Sequence, residues 1–155
     1  MALTAGEQAP AFRLQDQDGE THALDELHGK KVLLYFYPRD DTHGCTLEAQ
    51  QFNRLLQRFQ SEGIVVLGVS ADDARSHQRF RAKYGLEFPL LCDLDASVAQ
   101  AYGAYGEKTS YGRTTMGVKR STFLIDEAGR IERAWYNVRP DGHPEAVLAE
   151  VAPTS

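Results

Sequence analysis

The chain has 155 residues, 42% of them hydrophobic and 25% charged, which is the profile of one soluble globular domain, so residues 1–155 read as a single unit. A chain of this length removes about two-thirds of its unfolded surface from water and needs no staple; its two cysteines, Cys45 and Cys92, lie outside any C-x-x-C pair, which excludes a disulfide-rich scaffold and a structural zinc cluster. Seventeen Lys and Arg against 22 Asp and Glu give a net charge of −5, with no basic footprint for nucleic acid or anionic lipid.

Taken in chain order, MALTAGEQAPAF lacks a basic region followed by an apolar run, and no stretch approaches the roughly 18 apolar residues of a membrane span. The expected location is therefore cytoplasmic, a reducing compartment in which thiols stay free or serve in catalysis. Phe12 and Leu14 alternate with polar neighbours, and Asp18-Gly19 turns the chain toward Thr21 and Ala23, predicting a small N-terminal β-hairpin. Val32 to Tyr37 is a continuous apolar run stopped by Pro38, the pattern of a strand buried on both faces of a parallel sheet. Phe52, Leu55, Leu56 and Phe59 recur at i, i+3, i+4 and i+7, predicting one helix from about Cys45 to Gln60.

Ile64 to Val69 reads as a second buried strand, and Ser70 to Asp73 as the start of a helix that carries Phe80 and Tyr84. Phe88 to Leu91 is a short third strand, followed by a short helix over Ala96 to Tyr102 and a Gly-, Tyr- and Thr-rich loop up to Met116. Tyr102, Tyr105 and Tyr111 are expected on the surface, at an entrance, at a dimer contact or in loop packing. Ser121 to Ile125 and Ile131 to Tyr136 flank Ala128-Gly129 as a hairpin, and Pro144 to Val151 closes the chain as a helix. The predicted fold is α/β: a mixed central sheet flanked by helices, with an N-terminal β-hairpin, thioredoxin-like in outline.

The chemistry concentrates in YFYPRDDTHGCTLEA, where a buried strand ends and a helix begins at or just before Cys45. Unpaired backbone N–H groups and the helix dipole favour negative charge there, so the Cys45 thiolate should be stabilised. The plain alternative is an inert buried cysteine. Spacing tests the other cysteine chemistries: a thioredoxin-type dithiol needs a cysteine where Thr42 stands, and a phosphatase loop needs an arginine where Gln51 follows Cys45 or Val98 follows Cys92. His43 reads as a solvated loop residue, and no ligand cluster is visible among His22, His28, His77 and His143, so no metal is expected.

Pro38, Thr42 and Cys45 stand as P-x-x-x-T-x-x-C, and Arg120 opens RSTFLID. With GEQAPAF, FPLLCD, AYG and MGVKRSTFLIDEAGRI, these resemble the peroxiredoxins, specifically the bacterioferritin comigratory protein or peroxiredoxin Q group. The resemblance implies a thioredoxin fold and a cofactor-free thiol peroxidase acting on hydrogen peroxide and organic hydroperoxides. It implies that Cys45 attacks peroxide to give a sulfenic acid, that Arg120 and Thr42 are catalytic, and that Pro38, Thr42 and Arg120 form the substrate pocket.

One family pattern is missing. Many relatives carry a resolving cysteine five residues after the first, where this chain has Gln50; others carry it near Arg81, and none stands there. Cys92 is the only internal candidate, and a strand two places away in the sheet would put it about 10 Å from Cys45, against the roughly 7 Å between Cα atoms that a disulfide needs. The favoured reading is therefore a one-cysteine mechanism, with thioredoxin, glutaredoxin or a low-molecular-weight thiol as reductant; the alternatives are a Cys45–Cys92 disulfide, a redox sensor or a non-catalytic thioredoxin-like binding module. The assembly is read as a monomer or a weak homodimer.

Overall fold

The computed structural model describes residues 2–151. Strand β3, Lys31–Phe36, is almost wholly buried because both faces of its KVLLYF run are apolar. It pairs in parallel with β4, Ile64–Ser70, and antiparallel with β8, Ser121–Ile125. Beyond β4 lies β5, Leu90–Cys92, and beyond β8 lies β9, Ile131–Trp135, so the five-stranded order is β5-β4-β3-β8-β9. This is the expected mixed sheet, with the third strand two places from β3.

Alternation along β3 divides the core into two layers. Leu33, Tyr35 and Tyr37 face helix α1, His43–Arg54, helix α2, Leu56–Ser61, helix α3, Ala74–Tyr84, and helix α5, His143–Val151, through Phe52, Phe59, Phe80 and Val147. Val32, Leu34 and Phe36 face helix α4, Ser97–Ala101, together with Phe12 and Tyr102. The N-terminal hairpin of β1, Arg13–Gln15, and β2, Thr21–Ala23, leans on β5, where the Leu90 amide donates to Gln17 Oε1 at 3.0 Å. That contact shields an edge strand that would otherwise be open to pairing.

Three elements differ from the sequence reading. The helix expected from Cys45 to Gln60 is two helices, because the Leu55 amide is shared between Gln51 O and Phe52 O and the turn tightens there, without a Gly or Pro to announce it. The loop expected before Met116 is a hairpin of β6, Tyr105–Ser110, and β7, Arg113–Val118. Its tip is Tyr111-Gly112, both with positive φ, the backbone of a two-residue type I′ turn. Tyr102, expected on the surface, is fully buried and donates its hydroxyl to Pro10 O at 2.7 Å; Tyr105 is half-buried and Tyr111 fully exposed. No helix among the described residues is long and apolar enough to cross a membrane.

Candidate active site

Strand β3 hands the chain to a short loop, Pro38 to Thr42, and Thr42 with extended backbone begins α1. Cys45 is the third residue of that helix and is 2% exposed. Arg120 arrives from a distant part of the chain: Ser121 pairs with Phe36 across β8 and β3, so the residue before Ser121 stands beside the end of β3, at the start of α1. The Arg120 Nη2 group lies 3.5 Å from Cys45 Sγ. Gly44 permits this approach, since a Cβ there would stand 3.2 Å from Arg120 Nη2 and 3.1 Å from Pro140 Cγ.

Glu48 holds the other side of the guanidinium, with Oε1 2.6 Å from Arg120 Nη1. Its side chain is fully buried and its Oε2 has no hydrogen-bond partner. Burial pushes the carboxyl from 4.5 up to about 7, against the pull of Arg120 in the opposite direction. Burial also opposes the Arg120 charge, yet Glu48 and Cys45 together hold that guanidinium above its ordinary range. The sequence reading passed over Glu48. The signal for it was a charged residue three after Cys45, inside the buried face that also carries Ala49 and Phe52.

The loop is fastened by its two aspartates. Asp40 accepts from Tyr37 OH at 2.6 Å and from Ser76 Oγ at 2.8 Å, and its Oδ2 lies 2.7 Å from His77 Nδ1. His77 is fully buried, and its Nε2 lies 2.9 Å from Leu91 O. A carbonyl only accepts, so Nε2 is the donor of that hydrogen bond. Asp41, at φ 59°, accepts from Lys83 Nζ at 2.9 Å and from Tyr84 OH at 2.8 Å. Asp40, Asp72 and His77 thus form a cluster that the histidine spacing did not reveal. Every one of the three is already engaged in hydrogen bonds of the loop, the Asp72 carboxylate accepting from the Asp40 amide at 2.8 Å.

Three residues of the motif separate into two openings, while buried Cys45 lines neither of them. Pro38 and Arg120 line a cleft of about 400 Å³, whereas Thr42 lines a smaller one with His43 and Tyr84. The Thr42 hydroxyl donates to Arg39 O at 2.9 Å, and its carbonyl accepts from the Thr46 amide at 2.8 Å. His43 is exposed, as expected of a solvated residue.

Cys92 ends β5, paired with Ser70. Two strand spacings separate β5 from β3, about 10 Å. Both cysteines are free thiols. Burial, reinforced by the negative charges of Asp40, Asp73, Asp16 and Asp72, pushes the Cys92 thiol up to about 11, so it stays protonated at neutral pH.

Comparison with known proteins gives this arrangement a context. The AhpC/TSA family model matches residues 5–134. A putative peroxiredoxin bcp of Coxiella burnetii is 45% identical over 151 residues, covering 97% of this chain and 100% of that protein. Peroxiredoxin Bcp of Escherichia coli is 40% identical over 146 residues, 94% of each chain. Among solved structures, PrxQ of Xylella fastidiosa superposes with a TM-score of 0.91 at 37% identity, over 97% of this chain and 96% of that one. The bacterioferritin comigratory protein of Xanthomonas campestris, studied for its alkyl peroxide reduction activity, superposes with a TM-score of 0.88 at 39% identity, over 95% and 96%.

Proposed function

Because the chain belongs to the AhpC/TSA family and is a thiol peroxidase of the peroxiredoxin Q and Bcp type, we propose that Cys45 is its peroxide-reacting nucleophile and that an external thiol restores it. The observation that carries this reading is the Arg120 guanidinium, which reaches Cys45 Sγ with one amino group and Glu48 with the other. The Cys45 thiolate attacks the terminal oxygen of ROOH. The O–O bond breaks, Cys45 becomes a sulfenic acid, and the departing RO⁻ takes a proton to leave as ROH.

Negative charge moves from sulfur to the leaving oxygen along this path, and Arg120 can donate at both ends of it. Thr42 Oγ1 already donates to Arg39 O, which leaves its lone pairs to accept the peroxide O–H and orient the substrate. Pro38 walls the same cleft as Arg120 and brings no N–H of its own. Helix α1 adds the unpaired amides of its first turn at the sulfur.

The second half-reaction is read as intermolecular. Cys92 lies two strands away with a thiol held protonated, which disfavours its attack on the Cys45 sulfenic acid. Thioredoxin, glutaredoxin or a low-molecular-weight thiol supplies the electrons instead. Stopped-flow oxidation by hydrogen peroxide tests the nucleophile: Cys45→Ser should consume no peroxide and Cys92→Ser should match the parent. Normal turnover by Cys45→Ser would overturn the assignment.

A further inference from the structure

The cleft that Arg120 shares with Pro38 is walled on its far side by the β6–β7 hairpin, which brings Lys108 and Lys119 into it. Both lysines are half-buried, and among the described residues no carboxylate lies within 4.0 Å of either ammonium. Each lysine lays its stem along the hairpin and keeps its ammonium toward water, and the hairpin is built to allow it. Gly106 and Gly117 are cross-strand partners, and each lies beneath the lysine of the opposite strand. A Cβ at Gly106 would stand 3.3 Å from Lys119 Cε and 3.4 Å from its Nζ; one at Gly117 would stand 3.3 Å from Lys108 Cδ.

The paired glycines thus form a track on which two long cationic side chains lie across the hairpin. With Arg120 they make three cations around one cleft, against the single exposed carboxylate of Glu107, in a chain whose net charge is −5. The peroxide step already draws on Arg120 for its leaving oxygen, and a neutral hydroperoxide has no anionic group for the two lysines to hold. The second half-reaction can use them: a thiol must ionise before it attacks the sulfenic acid, and a nearby ammonium favours the thiolate while also holding an anionic group of the same molecule.

Resting on the external-thiol reading above, we infer that this cleft is a carboxylate-binding subsite and that the reductant it takes is a small thiol bearing a carboxylate. About 400 Å³ suits a peptide-sized thiol, and Arg120, which lines the cleft and lies 3.5 Å from Cys45 Sγ, joins it to the sulfur. The carboxylate sits between Lys108 and Lys119, and the thiolate of the same molecule attacks Cys45 Sγ. The S–O bond breaks, the hydroxide takes a proton to leave as water, and a mixed disulfide remains; a second thiol then releases the Cys45 thiol and carries away the symmetric disulfide.

The test has two arms. In the first, the Cys45 sulfenic acid is made with one equivalent of hydrogen peroxide and reduced with glutathione or with glutathione diethyl ester, in the parent and in the Lys108→Met/Lys119→Met protein. At low salt the parent should favour glutathione about tenfold, from two exposed ion pairs, and the double variant should favour it by less than about twofold. An equal preference in both proteins, or none in the parent, overturns the proposal. So does a carboxylate preference confined to oxidation by a carboxylate-bearing hydroperoxide, which would make the subsite a peroxide reader. In the second arm, unreactive S-methylglutathione is titrated by NMR. Shifts at Gly106 and Gly117 that weaken several-fold in the double variant support the site, and shifts elsewhere or none overturn it. Failure of a dimedone trap to label Cys45 would sink the external-thiol reading alone, because S-methylglutathione binding needs no sulfenic acid.

Discussion

Replacing Glu48 with Gln should remove one of two opposing pH dependences of folding stability. The carboxyl is pushed up by burial from 4.5 to about 7 in the folded protein. A group whose pKa is higher folded than unfolded binds its proton more tightly when folded, so its contribution is full below pH 4.5 and lost as pH rises through 7. With those two values the contribution is about 2.5 kcal/mol larger at pH 5 than at pH 8. His143 runs the other way. Burial first, and Arg120 second, push its imidazole down from 6.5 to about 4, so its contribution is full above pH 6.5 and lost as pH falls through 4. The parent protein should therefore show a muted profile, while Glu48→Gln should show the His143 dependence uncovered. Urea unfolding followed by circular dichroism at pH 5, 6, 7 and 8 on both proteins isolates Glu48, since every other group cancels in the difference. Stability of the parent relative to the variant should fall by about 2.5 kcal/mol from pH 5 to pH 8, and a difference that stays constant across the series would refute the reasoning.

Three further outcomes are expected. Arg120→Ala removes the donor aimed at the peroxide and should slow Cys45 oxidation by about 10²- to 10³-fold in stopped flow; a loss under threefold would remove Arg120 from the mechanism. Gly44→Ala should gain up to about 1 kcal/mol from helix propensity, yet its methyl crowds Pro140 Cγ and Arg120 Nη2, so peroxide oxidation should slow about tenfold. A stabilised variant with full rate would contradict the close seating of the guanidinium. His77→Leu leaves the Asp40 carboxylate buried without its partner and should cost about 3–5 kcal/mol in urea unfolding, with a loss below 1 counting against the pairing.

Much of this arrangement was legible in the sequence, and the exceptions have physical causes. The runs at β3 and β4 are apolar on both faces, which fixes them as interior strands, and the Phe52, Leu56 and Phe59 spacing fixes the face of α1 and α2 that meets them. Cys45 at a helix start follows from Pro38 ending one pattern and that stripe beginning another. Arg120 was reached only through the family motif, because its approach to Cys45 depends on the antiparallel pairing of β8 with β3, a long-range fact that local periodicity does not carry. Helix spacing does carry His77, three residues before Phe80 on the same buried face, but its partner Asp40 lies in a loop 37 positions away. The β6–β7 hairpin was missed because all but Tyr105, Met116 and Val118 of its strand residues are polar or glycine and no sustained apolar alternation marks them; only the Tyr111-Gly112 turn points to it.

The central claim is that Cys45 alone carries the redox chemistry within this chain. Intact-mass spectrometry of the parent protein, treated with one equivalent of hydrogen peroxide in the presence of dimedone, tests it most directly. A single dimedone adduct mapping to Cys45, with Cys92 still alkylatable as a free thiol, is the predicted result. Loss of two hydrogens with a Cys45–Cys92 disulfide in the digest would contradict it.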